Sequence, residues 1–275
     1  MLIETAERLQ PASQPEIQRN HPAARLQRRR VLAASTPQFE VAITRDPEEI
    51  RAAQSLRYRV FREEFNAHIH HPEGIDQDIY DAFCDHLVVR CRVTGTVVGT
   101  YRILSPESAR RLGYYADSEF FTTRLNHLKP SLVEFGRSCV HPEFRSGAVI
   151  MLLWAGLAAH MQEHGHEHVI GCASVSLRDG GHYAASLYRM LCTQYRAGPE
   201  HEVFPRHPLP VNKLRSSLAV EAPALIKGYL RVGARICGEP AWDADFNSAD
   251  FFMLLSLENM NPRYARHFGI RGTQA

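Results

Sequence analysis

The stretch Leu132–Ala159, LVEFGRSCVHPEFRSGAVIMLLWAGLAA, decides the fold. Val133, Glu134 and Phe135, then Arg137 to Val140, set charge among apolar and β-branched residues, which predicts a strand. Pro142 stops it, and a short basic loop follows, Arg145-Ser146-Gly147. Twelve apolar or small residues then run from Ala148 to Ala159. A bilayer needs ~20 apolar residues, so this run is too short to span one and suits a buried helix. In a strand–loop–helix layout the unpaired amides and positive dipole end of the helix can meet an anion. Two readings stand: a phosphate-bearing cofactor or carrier held at Ser146 to Ala148, or an ordinary connection.

The chain has 275 residues, enough for one large domain or two small ones. Its formal net charge of +2 implies no bulk affinity for nucleic acid. Six cysteines stand singly in apolar contexts without a CxxC pair, as in the core of a reduced, cytoplasmic protein. The start lacks the apolar run of a secretion signal. Pro11, Pro15 and Pro22 among Gln, Ser and Arg predict a disordered basic leader over residues 1–37, ahead of a single domain over 38–275. Arg19, Arg25 and Arg28 to Arg30 are either solvated or a contact for an acidic partner or the inner face of the cytoplasmic membrane.

Phe39 to Ile43 alternates as a strand, and Asp46-Pro47-Glu48-Glu49 opens a helix ending near Phe65. Its Arg57, Arg59 and Arg62 suit a solvated face, or one of them lies over a substrate site. The next segment offers His68, His70 and His71, then Asp76, Asp78 and Asp81. These could hold a metal, bind an amine, or form a plain acidic loop; the spacing is not that of an EF-hand. Cys84–Val93 and Val97–Leu104 read as a hairpin, with Arg102 on an otherwise apolar face. Such an arginine is paired with a carboxylate or faces a site. His160, His164, His166 and His168 lack the HExxH pattern and suit an exposed helix end. Helices are predicted over 178–191 and 222–236, the second with a basic stripe of Lys227, Arg231 and Arg235.

The order of elements is that of a mixed α/β domain, one sheet with helices on both faces. The Arg145-Ser-Gly147-Ala148 loop after a strand, and ASLYRML at 185–191, resemble the GNAT superfamily of N-acyltransferases. A narrower resemblance runs from Phe39 to Phe268. It is carried by LRYRVF, the DxDxYD loop, VVGTYRIL, VEFGRSCVHPEFR, GEPAWDADFN and NPRYARHF, which look like the ornithine N-acyltransferases. The first half is also similar to acyl-homoserine-lactone synthases.

That resemblance implies a GNAT-like α/β fold: a central, mostly antiparallel twisted sheet with a splayed, bulged central strand. It implies transfer of a 3-hydroxyacyl group from acyl carrier protein to the α-amine of L-ornithine, giving lyso-ornithine lipid. Arg59, Phe61, Asp76, Asp78 and Arg102 would hold substrate, with Asp81 a substitute in the acidic loop. Glu134 and Arg137 would face the reacting amine, and Tyr188 would protonate the leaving thiolate. Val140, Arg145, Ser146, Gly147 and Ala148 would hold the phosphopantetheine arm. The loop has one glycine where the superfamily has a fuller pattern, which favours the carrier protein over coenzyme A. No metal or tightly bound cofactor, and no nucleic-acid partner, is implied.

The chemistry gives these residues separate tasks. An amino-acid amine is mostly protonated at neutral pH, so a base must take its proton. Glu134, deep in a central strand, would have its pKa raised by desolvation. Backbone amides near Ser138 to Val140 can receive the oxyanion. In a plain strand Glu134 and Arg137 point to opposite faces, so a bulge at Gly136 is expected. Phe61, Phe65 and Trp154 are acyl-channel lining or core. Alternatives are an N-acyltransferase for another amino acid or amine, including the acyl-homoserine-lactone type, and a non-catalytic module that binds carrier protein or lipid.

Overall fold

A computed structural model describes residues 29–31, 36–65, 67, 69 and 71–270; Arg19, Arg25, Arg28, His68 and His70 are outside them. In chain order the first half runs β1 (Arg29–Arg30), β2 (Phe39–Thr44), α1 (Pro47–Phe65), β3 (Asp85–Cys91), β4 (Val97–Leu104), α2 (Pro106–Leu112) and β5 (Phe120–Phe121). Then come β6 (Leu132–Val140), α3 (Ala148–His164), β7 (His168–Ser176), α4 (His182–Cys192), β8 (Phe204–Pro205) and α5 (Ala224–Val232). The last are β9 (Arg235–Ile236), β10 (Ala241–Asp243), β11 (Ser248–Ser256) and α6 (Pro262–His267). Nine strands make one sheet in the order β1-β2-β3-β4-β6-β7-β11-β10, with β9 also on β11. β6 and β7 are parallel, and every other neighbouring pair is antiparallel.

Alternation along β3 divides the core. Leu87 and Val89 pack with α3 residues Leu153 and Leu157, while Val88 packs with α1 residues Leu56 and Val60. The two helices therefore cover opposite faces. Asp46 caps α1 as expected, its Oδ1 accepting the Glu48 amide at 2.9 Å.

Three boundaries differ from expectation. Arg29–Arg30, assigned to the leader, instead pairs with Ile43 and Ala42 of β2. The open edge of β2 supplies that ladder, and buried Val31 anchors it. The second predicted helix stops at Val232, where Gly233 turns left-handed, so Arg235 leaves the basic stripe and joins β9. The helix expected from Arg178 starts at His182, after Gly180 and Gly181 with positive φ. No helix of the described residues is long and apolar enough to cross a membrane.

The sheet is split at its centre. β6 and β7 pair only over Leu132–Glu134 with His168–Ile170. Beyond that point β6 follows β4 and β7 follows β11. Gly171 sits at the vertex, where any Cβ would strike the Phe135 carbonyl oxygen. β6 is also bulged: Thr100 pairs with Cys139 but Arg102 with Gly136, which leaves one extra residue on β6. The left-handed residue of the bulge is Arg137, with φ of 51°. Gly136, expected to carry the distortion, has ordinary backbone and open space around its Cα.

Candidate active site

The split opens into a cavity of about 520 Å3 lined by α1, both arms of the split, the start of α3 and the start of α5. Glu134 is on its wall, the last residue of β6 paired to β7. Its carboxylate is buried and accepts two backbone N–H groups, from Tyr115 at 2.6 Å and Ala116 at 2.9 Å. Burial raises its pKa to about 7, against the opposing pull of the Ala116 and Tyr115 amides and Arg102. A carboxylate poised near neutrality on a cavity wall has the properties of a general base.

Arg137 reaches the same cavity because the bulge turns it there. Its guanidinium lies 3.3 Å from the Tyr115 hydroxyl, and 3.4 Å from both Asp76 and Asp78. It is sandwiched between the Tyr115 and Phe246 rings, 4.8 Å from each centroid. Phe61 is buried beside Phe246 with the ring centroids 5.8 Å apart, and it also lines the cavity.

The acidic loop has another task than the one expected. Arg57, fully buried on α1, donates to Asp76 at 2.7 Å and Asp81 at 2.9 Å. Arg102 donates to Asp78 at 2.6 Å. Burial alone would raise the Asp81 carboxyl, but Arg57 and Arg102 outweigh it and hold the pKa down. Asp76 and Asp78 are thus bound to arginines of α1, β4 and β6, and position Arg102 and Arg137. Arg59, the helix arginine expected over the site, is exposed. Two residues along an α-helix is a turn of ~200°, so burying Arg57 sends Arg59 outward. The signal for Arg57 was in the sequence: it stands four residues after Ala53 and three before Val60 of the apolar face, at helical spacing.

Three carboxylates that the sequence reading left out line the cavity instead: Glu119, Asp243 and Asp250. Their ligand oxygens lie within 4.8 Å of one another, and no other such group occurs among the described residues. The β10–β11 hairpin brings two of them together, since Asp243 pairs with Ser248 and Asp250 with Ala241. Burial, then Asp250, push the Glu119 carboxyl well up, and burial raises that of Asp243. One Glu119 oxygen is buried without a hydrogen-bond partner. Such a group is chemically suited to a cation, whether an ammonium or a metal ion. Asp250 carried a signal, an acid in the apolar strand SADFFMLLS; Glu119, in an irregular segment, carried none.

The loop before α3 forms as predicted, with Gly147 left-handed at φ of 97°. Val140, Gly147 and Arg145 line the cavity mouth; Ser146 and Ala148 are exposed beside it. The Arg145 guanidinium donates to the Val140 carbonyl at 3.0 Å and pairs with Glu64. Ser138 and Cys139 line the cavity where β6 has parted from β7. Trp154, on α3, lines it too. The histidines at the α3 end stack on one another, His160 on His164 with centroids 4.1 Å apart, and do not converge on a metal position.

Tyr188 is not brought to the site. It packs half-buried on α4, with its hydroxyl toward Cys192, Arg196 and Glu239. The apolar face of α4 follows Ala184, Leu187 and Leu191 onto the far part of the sheet, and Tyr188 goes with it. Loss of a general acid costs ~10²–10⁴-fold; Tyr188→Phe is expected to cost none of this in steady-state assays. Arg59→Ala is expected to change stability by no more than about 0.5 kcal/mol in urea unfolding.

Residues 56–155 match the family model of the acetyltransferase (GNAT) domain. An L-ornithine N(alpha)-acyltransferase of Brucella abortus is 34% identical over 250 residues, 84% of this chain and 89% of the relative. One of Rhodobacter capsulatus is 34% identical over 259 residues, 86% of this chain and 97% of the relative. Among solved structures, the CoA-dependent acyl-homoserine lactone synthase BjaI aligns at 14% identity and a TM-score of 0.46, covering 83% of this chain and 89% of that one. Split sheet, loop and matched domain define an acyltransferase of the GNAT type. Within that class, the chain belongs to the L-ornithine Nα-acyltransferase family.

Proposed function

We propose that the cavity transfers a 3-hydroxyacyl group from an acyl carrier protein thioester to the α-amine of L-ornithine. The product, lyso-ornithine lipid, is the first intermediate of ornithine lipid synthesis. The observation that carries this reading is the shared cavity of Glu134 and the Glu119–Asp243–Asp250 group. The base and a cation-binding cluster face one space, as an acceptor with two amines requires. Arg102 and Arg137 line the same cavity and would take the carboxylate.

In this scheme Glu134 removes a proton from the α-ammonium. The freed amine attacks the thioester carbonyl, and amides of Ser138 to Val140 receive the oxyanion. The C–N bond forms and the C–S bond breaks, and the second proton of the attacking nitrogen passes to the departing thiolate, directly or through water. The thiolate has a pKa near ~8.5 and leaves without an obligatory acid, which removes the need for Tyr188. First-turn amides of α3, with Arg145 beside them, would hold the phosphopantetheine phosphate. All six cysteines are free, which suits a reducing cytoplasm. An amphipathic product must pass to the membrane, so contact at its inner face accompanies the scheme.

The test is thiol release by the purified protein with 3-hydroxyacyl carrier protein and a panel of amino acids. Ornithine is expected to be fastest, and norvaline, the same chain without the δ-amine, poor. Asp250→Asn should raise the KM for ornithine ~10–100-fold, the worth of one hydrogen bond to a charged group, and narrow the preference over norvaline. Equal rates for ornithine and norvaline would remove the diamine assignment. No release with any amine would leave a binding module.

A further inference from the structure

Behind the reaction cavity lies a second one of about 100 Å3. It occupies the α3 face of the sheet, walled by apolar side chains such as Leu157, Met161, Val169, Met253 and Leu255. The two cavities share Phe135, Trp154, Cys172 and Tyr229. One layer of side chains is all that separates them.

That layer is held in place by a small network. The Tyr101 and Tyr229 hydroxyls are 2.6 Å apart, and the Trp154 indole donates to Tyr101 at 3.4 Å. Trp154 also stacks on Tyr229, with centroids 5.8 Å apart. The indole fits because α5 carries Gly228 there; a Cβ at that position would strike the ring. Met260, Phe268 and Ile270, from the end of the described chain, form the floor of the second cavity away from the shared residues. This floor is fastened, with the Phe268 amide on the Tyr264 carbonyl at 2.9 Å and the Ile270 amide on Ala265 at 2.8 Å.

We propose that the second cavity takes the distal end of the donor's acyl chain, and that Phe268 and Ile270 set the longest chain accepted. This rests on the acyl-transfer reading of the first cavity. There the thioester carbonyl must lie near the vertex, beside Glu134. Glu119, Asp243, Asp250, Arg102 and Arg137 put charge on part of the remaining wall. The rest is largely apolar, with Phe61, Phe65, Ile150 and Phe246 on it, and Phe135, Trp154 and Tyr229 are the apolar residues it shares with the second cavity. An apolar space of this kind offers water few partners and is filled favourably by methylenes.

The test uses binding, so that it does not depend on turnover. Non-reactive acyl-pantetheine thioethers of increasing chain length are titrated against the full chain, with Trp154 fluorescence read in a Trp242→Phe background. Affinity should rise with chain length and then stop rising. Phe268→Ala should move that break to longer chains and bind the longest about tenfold tighter, the gain of roughly two more buried methylenes. Ala158→Phe, which fills the cavity from α3, should move it to shorter chains. Circular dichroism and thermal melts show that each variant is folded, and Ile270→Ala replaces Phe268→Ala if that one is not. The proposal is overturned if folded variants keep the wild-type break, or if affinity does not depend on chain length. Failure of the acyl-transfer reading shows separately, as absence of thiol release with every chain length and amine.

Discussion

Glu134→Gln is expected to lower kcat by ~10²–10⁴-fold while the protein stays folded. Glutamine has the same shape, and its carbonyl oxygen keeps one of the two amides of Tyr115 and Ala116 while its NH2 faces the other, so the 3-10 turn at Tyr115–Ser118 keeps one partner. What it loses is the ability to take a proton. The wild-type pH profile should show the same group. A base works only when ionised, and this carboxyl titrates at about 7 because it is buried. The rate in kcat/KM should therefore rise with pH through about 7 and fall with unit slope on the acid side. Stopped assays across that range, with the fold checked at each pH, provide the measurement. Full activity in Glu134→Gln would remove the carboxylate from the chemistry.

The second large effect is expected on stability. Arg57→Met should cost ~3–5 kcal/mol in urea unfolding, because it leaves Asp76 and Asp81 buried with their main cation gone. Replacing the arginine together with both aspartates by neutral residues should recover much of that loss, since the cost lies in the stranded charges. The pH dependence follows from Asp81, whose folded pKa is held down. An aspartate in the unfolded chain titrates near ~3.9. The stabilisation by Asp81 is complete above that value and disappears as pH falls through the lower folded pKa. In Arg57→Met this acid-side dependence should shrink, and activity should fall too, because Arg102 and Arg137 lose the loop that positions them.

The sheet and the main elements were legible because they rest on local patterns. Leu132–Ala159 contains its own strand, stop, loop and buried helix, and all four form in place. The need for a bulge between Glu134 and Arg137 was legible as well, because strand alternation demands it. Its exact residue was not, since the left-handed turn falls on Arg137, a residue whose type does not advertise it. The acidic loop shows the limit more sharply. Asp76 and Asp78 are conspicuous in sequence, yet whether a carboxylate faces an amine or an arginine depends on a helix 20 residues upstream, where Arg57 is buried and Arg59 exposed. Asp243 and Asp250 meet across the β10–β11 hairpin, but Glu119 joins them from just before β5, in a distant part of the chain. No spacing along the chain announces that meeting. Tyr188 was carried by superfamily likeness alone, and the packing of α4 turns it away.

The most direct test of the central claim is mass spectrometry of the product made by purified protein from 3-hydroxyacyl carrier protein and ornithine. One amide is expected, on the α-amine with the δ-amine free, if Glu134 meets the first and the acidic group holds the second. Acylation of the δ-amine, or of both amines without preference, would contradict it.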